Sequence, residues 1–343
     1  MHERKGRSWF RLVFLHVLAG LLISAGCSQS PRGEDGPQFA FVSNGVASFW
    51  NVAEAGCRQA EQDFGAEVTV IFPDGLTDQT RKLEDLVTRG IDGIAVSPIS
   101  GDNQIDVLNQ AAAATHLITH DSDAPGSQRV AYVGMDNYAA GRMCGQLVRD
   151  QLPEGGSVML FIGRLDQDNA QYRRQGCIDA ILGRQPDATR RDPPGAELVS
   201  EDGRYKVLGT LTDQFDRAKA KANAEDTLTR YSDLDAMVGL FAYNPPAILE
   251  ALDRADLLGK VAVIAFDEDE VTLQAIRDGH VAGTVVQDPF RYGYDSIRIL
   301  HGLHQGDDSV LAEGSFIDIP PRLITPENLD EFWDTLNEQM GKQ

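Results

Sequence analysis

Between residues 38 and 305 the chain alternates: a short apolar, β-prone run, then a longer amphipathic stretch, then another run, except that the run at 117–119 has no such stretch before the next. The runs fall at 39–42, 68–72, 93–96, 117–119, 131–134, 158–162, 207–211, 236–240, 261–265 and 282–286. Stretches with helical spacing lie at 50–64, 79–89, 103–115, 138–151, 170–182, 217–231, 245–256, 270–278 and 292–305. Parallel neighbours in a sheet can be reached only by a crossover, and an amphipathic helix is the usual one, so this rhythm predicts an α/β protein. Ten strands are many for one open sheet, which usually holds about 4–6. The expectation is therefore two doubly wound lobes of parallel sheet. Ligands of such sheets lie beyond the carboxyl ends of the strands, so function is sought in the residues just after each one.

Residues 1–26 read differently. Arg4, Lys5, Arg7 and Arg11 precede an apolar stretch at 12–23 that is too short to span a bilayer, and Ser24-Ala25-Gly26-Cys27 follows. This is the pattern of an export signal. Small residues running into a cysteine resemble the bacterial lipoprotein cleavage box, which makes Cys27 the expected lipidated N-terminus, although Ser24 stands where Leu is usual. Residues 27–37 are polar and rich in chain breakers and are expected to form a linker. The protein is thus expected at the periplasm or extracytoplasmic face, touching the membrane only through a lipid anchor. Cys57, Cys144 and Cys177 have no C-x-x-C spacing and are expected as small buried residues, with one disulfide at most.

With 31 Lys+Arg against 52 Asp+Glu the net charge is −21, and no basic cluster interrupts it. Nucleic acid is excluded as a partner on that ground. His301 and His304 could pair on a metal, but no third ligand accompanies them, and neither a metal nor a cofactor is expected.

The strand ends carry an unusual set of groups. Ser43 is followed by Phe49-Trp50; Asp121 and Asp267 each sit at a strand tip; Asn169 and Arg173 open the helix after 158–162; Asn244 and Gln287 follow two further strands. Aromatic faces stack on C–H surfaces, and carboxylates, carboxamides and a guanidinium satisfy hydroxyl groups, so the set fits a polyhydroxylated ring. Glu268, Asp269 and Glu270 are expected to be a solvated face at a helix start.

Read in order, several segments resemble those of the bacterial periplasmic sugar-binding proteins of ABC transporters, ribose-binding type. They are Val42-Ser43 with Phe49-Trp50, the run 85–94, Asp136-Asn137 with Gly141, Asn169-Ala170 with Arg173 and Gly176, Phe215-Asp216-Arg217, Phe266-Asp267 and the run 283–287. The resemblance implies the type I periplasmic binding protein fold, with its lobes joined by a three-strand hinge crossing near 134–136, 287–289 and 315–318. The N-terminal lobe would comprise 38–135 plus 288–316, and the C-terminal lobe 136–287 plus 317–343. It further implies that Phe49, Trp50 and Phe215 sandwich a sugar ring, that Asp121 and Asp267 accept from its hydroxyls, that Arg173, Asn244 and Gln287 donate, and that Ser43 sits at the rim. Ala47 and Ser122 stand where ribose binders carry Asn and Arg, so ribose itself is not implied.

The expected function is capture of a monosaccharide, pentose or hexose, by hinge closure and its presentation to an ABC permease by a monomeric, non-enzymatic protein. A ligand-sensing receptor for a chemoreceptor or sensor kinase would use the same pocket. A glycosidase would need Asp121 and Asp267 as acid and nucleophile; Arg173 is expected to keep both ionised, which speaks against it. A sugar-responsive repressor would need a helix-turn-helix where the export signal lies.

Overall fold

The computed structural model describes residues 36–311 and 315–342. The expected signal segment and Cys27 lie outside the described residues, as does most of the linker. No helix among the described residues is long and apolar enough to cross a membrane.

The first sheet is built from β1 (Gln38–Val42), β2 (Glu67–Ile71), β3 (Gly93–Val96), β4 (His116–His120) and β5 (Ala131–Gly134), with α1 (Ser48–Phe64), α2 (Gly75–Arg89) and α3 (Ile105–Ala114) as crossovers. The chain then leaves for the second sheet through α4 (Asn137–Gln151), β6 (Gly156–Ile162), α5 (Asp168–Ile181), β7 (Leu198–Val199), β8 (Tyr205–Thr212), α6 (Arg217–Arg230), β9 (Ala236–Gly239), α7 (Asn244–Arg254), β10 (Ala262–Phe266), α8 (Glu270–Arg277) and β11 (Gly283–Val286). It returns to pack α9 (Pro289–His304) against the first sheet, adds β12 (Phe316–Asp318) to that sheet, and crosses again to β13 (Arg322–Ile324) and α10 (Leu329–Gln339).

The strand orders are β12-β5-β4-β3-β1-β2 and β13-β11-β10-β9-β6-β8-β7. Pairing is parallel throughout the first sheet, and antiparallel in the second only at its two edges. Both orders reverse, between β1 and β3 in one and between β6 and β9 in the other, and the reversal opens a crevice at the carboxyl ends of the strands. The strand interiors are buried on both faces, which is why the sequence showed continuous apolar runs rather than alternation.

Aspartates start several helices. Asp136 accepts from the Ala139 amide, Asp216 from those of Ala218 and Lys219, Asp269 from Val271 and Asp288 from Arg291. Each satisfies an amide that has no partner inside the helix and sits favourably at the positive end of its dipole. Glycines set the spacing of the paired helices. A Cβ on Gly141 of α4 would lie 1.9 Å from the Arg173 carbonyl oxygen, and one on Gly176 of α5 would lie 2.0 Å from that of Tyr138. The first lobe repeats the device: Gly56 of α1 would meet the Phe290 carbonyl at 2.0 Å, and Gly293 of α9 that of Ala53 at 2.0 Å.

Two differences from the sequence reading stand out. Strands β7, β12 and β13 are two or three residues long and partly exposed, so they leave no periodic signal. Because β12 pairs with β5 through Asp318, Ile317 and Asp318 belong to the first sheet. The lobe boundary expected between 316 and 317 falls inside that strand, and the third crossing is 319–321. Cys57, Cys144 and Cys177 are buried and unpaired. His301 stacks on Phe64 and His304 meets Phe39 edge-on, so both pack against rings.

Candidate functional site

One cavity of about 410 Å³ lies where the two switch points face each other, and its walls come from segments that follow β1, β2, β3, β4, β6, β8, β9, β10 and β11. A wider groove of about 1090 Å³ runs along the outer side of α7, α8 and α10, but it receives no strand carboxyl end and none of the expected site residues.

The first wall grows out of β1. Ser43 is fully buried, and its hydroxyl donates to the Gly45 carbonyl at 2.7 Å and accepts from the Gly45 amide, closing a tight turn. Ser43 therefore holds the loop and does not line the cavity, contrary to the expectation that it sits at the rim. The turn presents its neighbour instead: Asn44 lines the cavity and donates to Ser97 and Asp121, both at 3.1 Å. Ala47 is extended, and α1 begins behind it with Phe49 and Trp50, whose rings meet edge to face at 4.8 Å. Trp50 is backed by His120 at 5.6 Å, which in turn stacks on Phe41 at 4.0 Å. Burial pushes the His120 imidazole down to about 3, so it serves as a neutral plate behind the tryptophan.

Asp121 and Asp267 are the first residues beyond β4 and β10, and both have left-handed backbones, φ 57° and 67°. Each keeps its amide on the adjacent strand, Asp121 on the Val133 carbonyl at 3.0 Å and Asp267 on that of Val285 at 2.9 Å. The unusual φ turns each side chain off the sheet and into the cavity. Such strain in a non-glycine residue persists only where the surroundings enforce it.

Asp121 accepts from Ser97 at 2.9 Å, from Asn44, and from Asn169 of the opposite lobe at 3.4 Å. Asp267 accepts from Gln287 at 2.8 Å, and Gln287 is itself held by the Tyr292 hydroxyl at 3.1 Å. Burial pushes the Asp121 carboxyl up to about 6 and outweighs the opposing pull of Arg173; Asp267 is raised for the same reason. Arg173 opposes the rise of both carboxyls, as expected of a neighbouring cation, but desolvation is the larger effect.

Arg173 is itself fully buried. It donates to the Leu240 carbonyl at 2.8 Å and to Asn137 at 3.0 Å, and its guanidinium lies 3.8 Å from the centre of the Phe266 ring. It sits behind the cavity, facing both carboxylates without lining the space between them, and its Nε has no partner.

The second wall combines aromatic and polar groups. Phe215, Phe241 and Tyr243 line it beside Arg164, Gln214 and Arg217, with Phe241 and Tyr243 parallel at 6.3 Å and Phe215 edge-on to both. Asn244, expected to donate to the ligand, is turned away; it accepts from the Phe241 amide at 3.1 Å and donates to Asp213 at 2.8 Å. Asn44, Phe241 and Tyr243 were missed by sequence reasoning, although each stands within a few residues of a strand end.

Glu268 corrects a further expectation. It is 5% exposed, not solvated, and both carboxyl oxygens are buried without partners. Burial, Asp267 and Asp288 push its carboxyl well above the usual range, with Arg322 opposing.

Of the expected ligand set, the cavity brings together Phe49, Trp50, Asp121, Phe215, Asp267 and Gln287, and leaves Ser43, Arg173 and Asn244 outside its lining. Two aromatic walls with a buried acceptor on each side can hold a flat, hydroxylated ring.

The family model for the periplasmic binding protein domain matches residues 39–308. A ribose import binding protein of Haemophilus influenzae is 25% identical over 280 residues, which is 80% of this chain and 85% of its own. A D-ribose/D-allose-binding protein of Pseudomonas aeruginosa is 22% identical over 336 residues, 92% of this chain and 99% of its own. Among solved structures, a solute binding protein of an ABC transporter from Burkholderia graminis, in complex with D-arabinose, superposes with a TM-score of 0.76. It is 24% identical, the match covers 85% of this chain and 96% of that one, and the likeness is one of fold.

Proposed function

The chain belongs to the periplasmic binding protein domain family, and from that premise we propose that it captures a monosaccharide of the pentose or hexose class between its lobes and hands it to the permease of an ABC transporter. As a member of that family it is a binding protein and not an enzyme. Its place is extracytoplasmic, and in this reading residues 1–26 are the export signal and Cys27 the lipid anchor. Cys27→Ser is expected to move the protein from the membrane to the soluble extracytoplasmic fraction; an unchanged distribution removes the anchor from the proposal.

The observation that carries the reading is that the two buried acceptors, Asp121 and Asp267, face one cavity from opposite lobes, between the Phe49-Trp50 pair on one side and Phe215 on the other. Contacts between the lobes already reach across the cleft. Asn169 approaches Asp121 at 3.4 Å, and the Ser48 hydroxyl donates to Asp269 at 3.5 Å. A ring entering the open cleft would find half of its partners on each side, so closure both completes the hydrogen bonds and removes water from them. Affinity near micromolar, about −8 kcal/mol, is within reach of such a set after ordering losses. Arg173 contributes through its charge from behind Asp121 and Asp267, and Gln287 by orienting Asp267.

The test is thermal or urea unfolding against D-ribose, D-allose, L-arabinose, D-xylose, D-galactose and D-glucose. A cognate sugar at a hundred times its Kd is expected to add about 2.7 kcal/mol of stability. A protein stabilised by none of them, nor by related polyols, does not have this function.

A further inference from the structure

Three donors converge on a carboxylate that neither lines the cavity nor belongs to the expected ligand set. Asp213, directly after β8, is 1% exposed. Its Oδ1 accepts from the Tyr243 hydroxyl at 2.5 Å and from the Phe215 amide at 2.9 Å, and its Oδ2 accepts from the Asn244 carboxamide at 2.8 Å. Between Asp213 and the helix that follows, Gln214 and Phe215 both adopt left-handed backbones, φ 61° and 63°. Two successive non-glycine residues in that region are held only by their surroundings, and the bond from the Phe215 amide to Asp213 is one such hold. Packing is flush on the other side: a Cβ on Gly163 would lie 2.8 Å from the Phe215 ring and 2.8 Å from the Tyr243 hydroxyl.

The chemical consequence lies in what is withheld. A phenol has one proton to donate, and that of Tyr243 goes to Asp213. The Asn244 carboxamide donates to the same carboxylate and accepts from the Phe241 amide, and it is absent from the cavity lining. Beside Arg164, Gln214 and Arg217, the cavity therefore meets a patch of three aromatic rings from which the Asn244 amide and the Tyr243 proton are withheld.

We propose that Asp213 is a positioning residue that sets specificity: by holding Asn244, Tyr243 and Phe215 in one knot it leaves an apolar patch at the rings of Phe215, Phe241 and Tyr243 that favours a sugar presenting a C–H or methyl edge over one presenting a hydroxyl there. The inference rests on the sugar-binding reading and deepens it. An apolar wall rejects an added hydroxyl only moderately, by a factor of roughly ten to a hundred, because the hydroxyl loses water without gaining a partner.

The test uses pairs that differ by one hydroxyl: D-galactose and D-fucose, D-ribose and 2-deoxy-D-ribose, D-glucose and 2-deoxy-D-glucose. Dissociation constants are measured calorimetrically for the wild type, Asp213→Asn and Asn244→Ala. In the wild type, the deoxy member of at least one pair is expected to bind about tenfold tighter than its partner. Asparagine at 213 cannot accept from Asn244 while also accepting from Tyr243 and Phe215, so Asp213→Asn frees polar groups and is expected to move that ratio about tenfold toward the hydroxylated sugar. Should that variant not fold, Asn244→Ala decides alone: an amide withheld from the ligand can be deleted with every affinity kept within threefold. Equal weakening of both members of each pair by Asp213→Asn, or a tenfold loss in Asn244→Ala, overturns the proposal. A wild type that binds neither these six sugars nor any of the wider panel above overturns the sugar-binding reading and this inference with it, whereas binding with unaltered ratios, or binding of other sugars of that panel only, overturns the inference alone.

Discussion

Asp121→Asn is expected to weaken sugar binding by roughly 30- to 1000-fold and, at the same time, to make the ligand-free protein more stable above pH 6. The loss follows from deleting the charge of a buried acceptor that faces the ligand, which costs about 2–4 kcal/mol. The gain follows from the same burial. In the folded protein the carboxyl is raised from 3.8 to about 6, so the folded state holds its proton where the unfolded chain has released it. Stability associated with that proton is complete below about pH 4 and is lost as pH climbs to about 6, after which it changes no further. Asparagine does not titrate, so the variant should equal the wild type near pH 4, pull ahead between 4 and 6, and stay ahead above that by about 1–3 kcal/mol. Glu268→Gln is expected to share the stability gain, because its carboxyl is raised by burial and by Asp267 and Asp288, but not the loss of affinity, because it lies outside the cavity lining. Urea unfolding from pH 4 to 8 together with calorimetric titration reads all of this. An Asp121→Asn protein that is less stable than wild type at pH 8, or that binds equally well, contradicts the assignment.

Gly176→Ala is expected to be, with Gly141→Ala, among the most damaging single methyl groups in the second lobe. Its Cβ would lie 2.0 Å from the Tyr138 carbonyl oxygen and 3.1 Å from the Arg142 amide, and backbone atoms inside a helix cannot step aside as a flexible side chain would. Helices α4 and α5 must then separate, at a cost of about 3 kcal/mol or more. The melting temperature should fall by about 6–12 °C. Affinity should fall too, since α5 carries Asn169 and Arg173 while α4 carries the Asn137 that holds Arg173. Gly195→Ala is the control: nothing lies within 4 Å of its Cβ, and its melting temperature should match the wild type. A Gly176→Ala protein melting within 2 °C of wild type would mean that the two helices are not in the close contact described.

The architecture was legible because it is written in local terms. A parallel strand buried on both faces must be a continuous apolar run, and a crossover helix must be amphipathic, so ten strands and their helices could be read off residue by residue. The strands that escaped, β7, β12 and β13, are too short and too exposed to carry a period. Even Gly141 and Gly176 were visible as a pattern before the structure gave them their reason, which is the approach of two backbones.

Which side chain at each strand end faces the cavity was a different kind of question. Ser43 and Asn44 are neighbours, and a hydroxyl closing a turn on Gly45 sends one into the loop and the other into the site. Asn244 was expected in the site and Tyr243 was not, and the decision between them belongs to Asp213, some thirty residues earlier in the chain. Arg173 stands behind the cavity because Leu240 and Asn137 hold it there. Glu268 is buried, and Asp288 and Arg322 are brought near it from elsewhere in the chain. Sequence alone thus determined the sheets, the helices and the neighbourhoods in which function had to lie, since these follow from hydrophobic period and backbone sterics over a few residues. Orientation, desolvation and the resulting proton affinities were decided by tertiary contacts, because each depends on the distance between groups that the chain brings together only once it has folded.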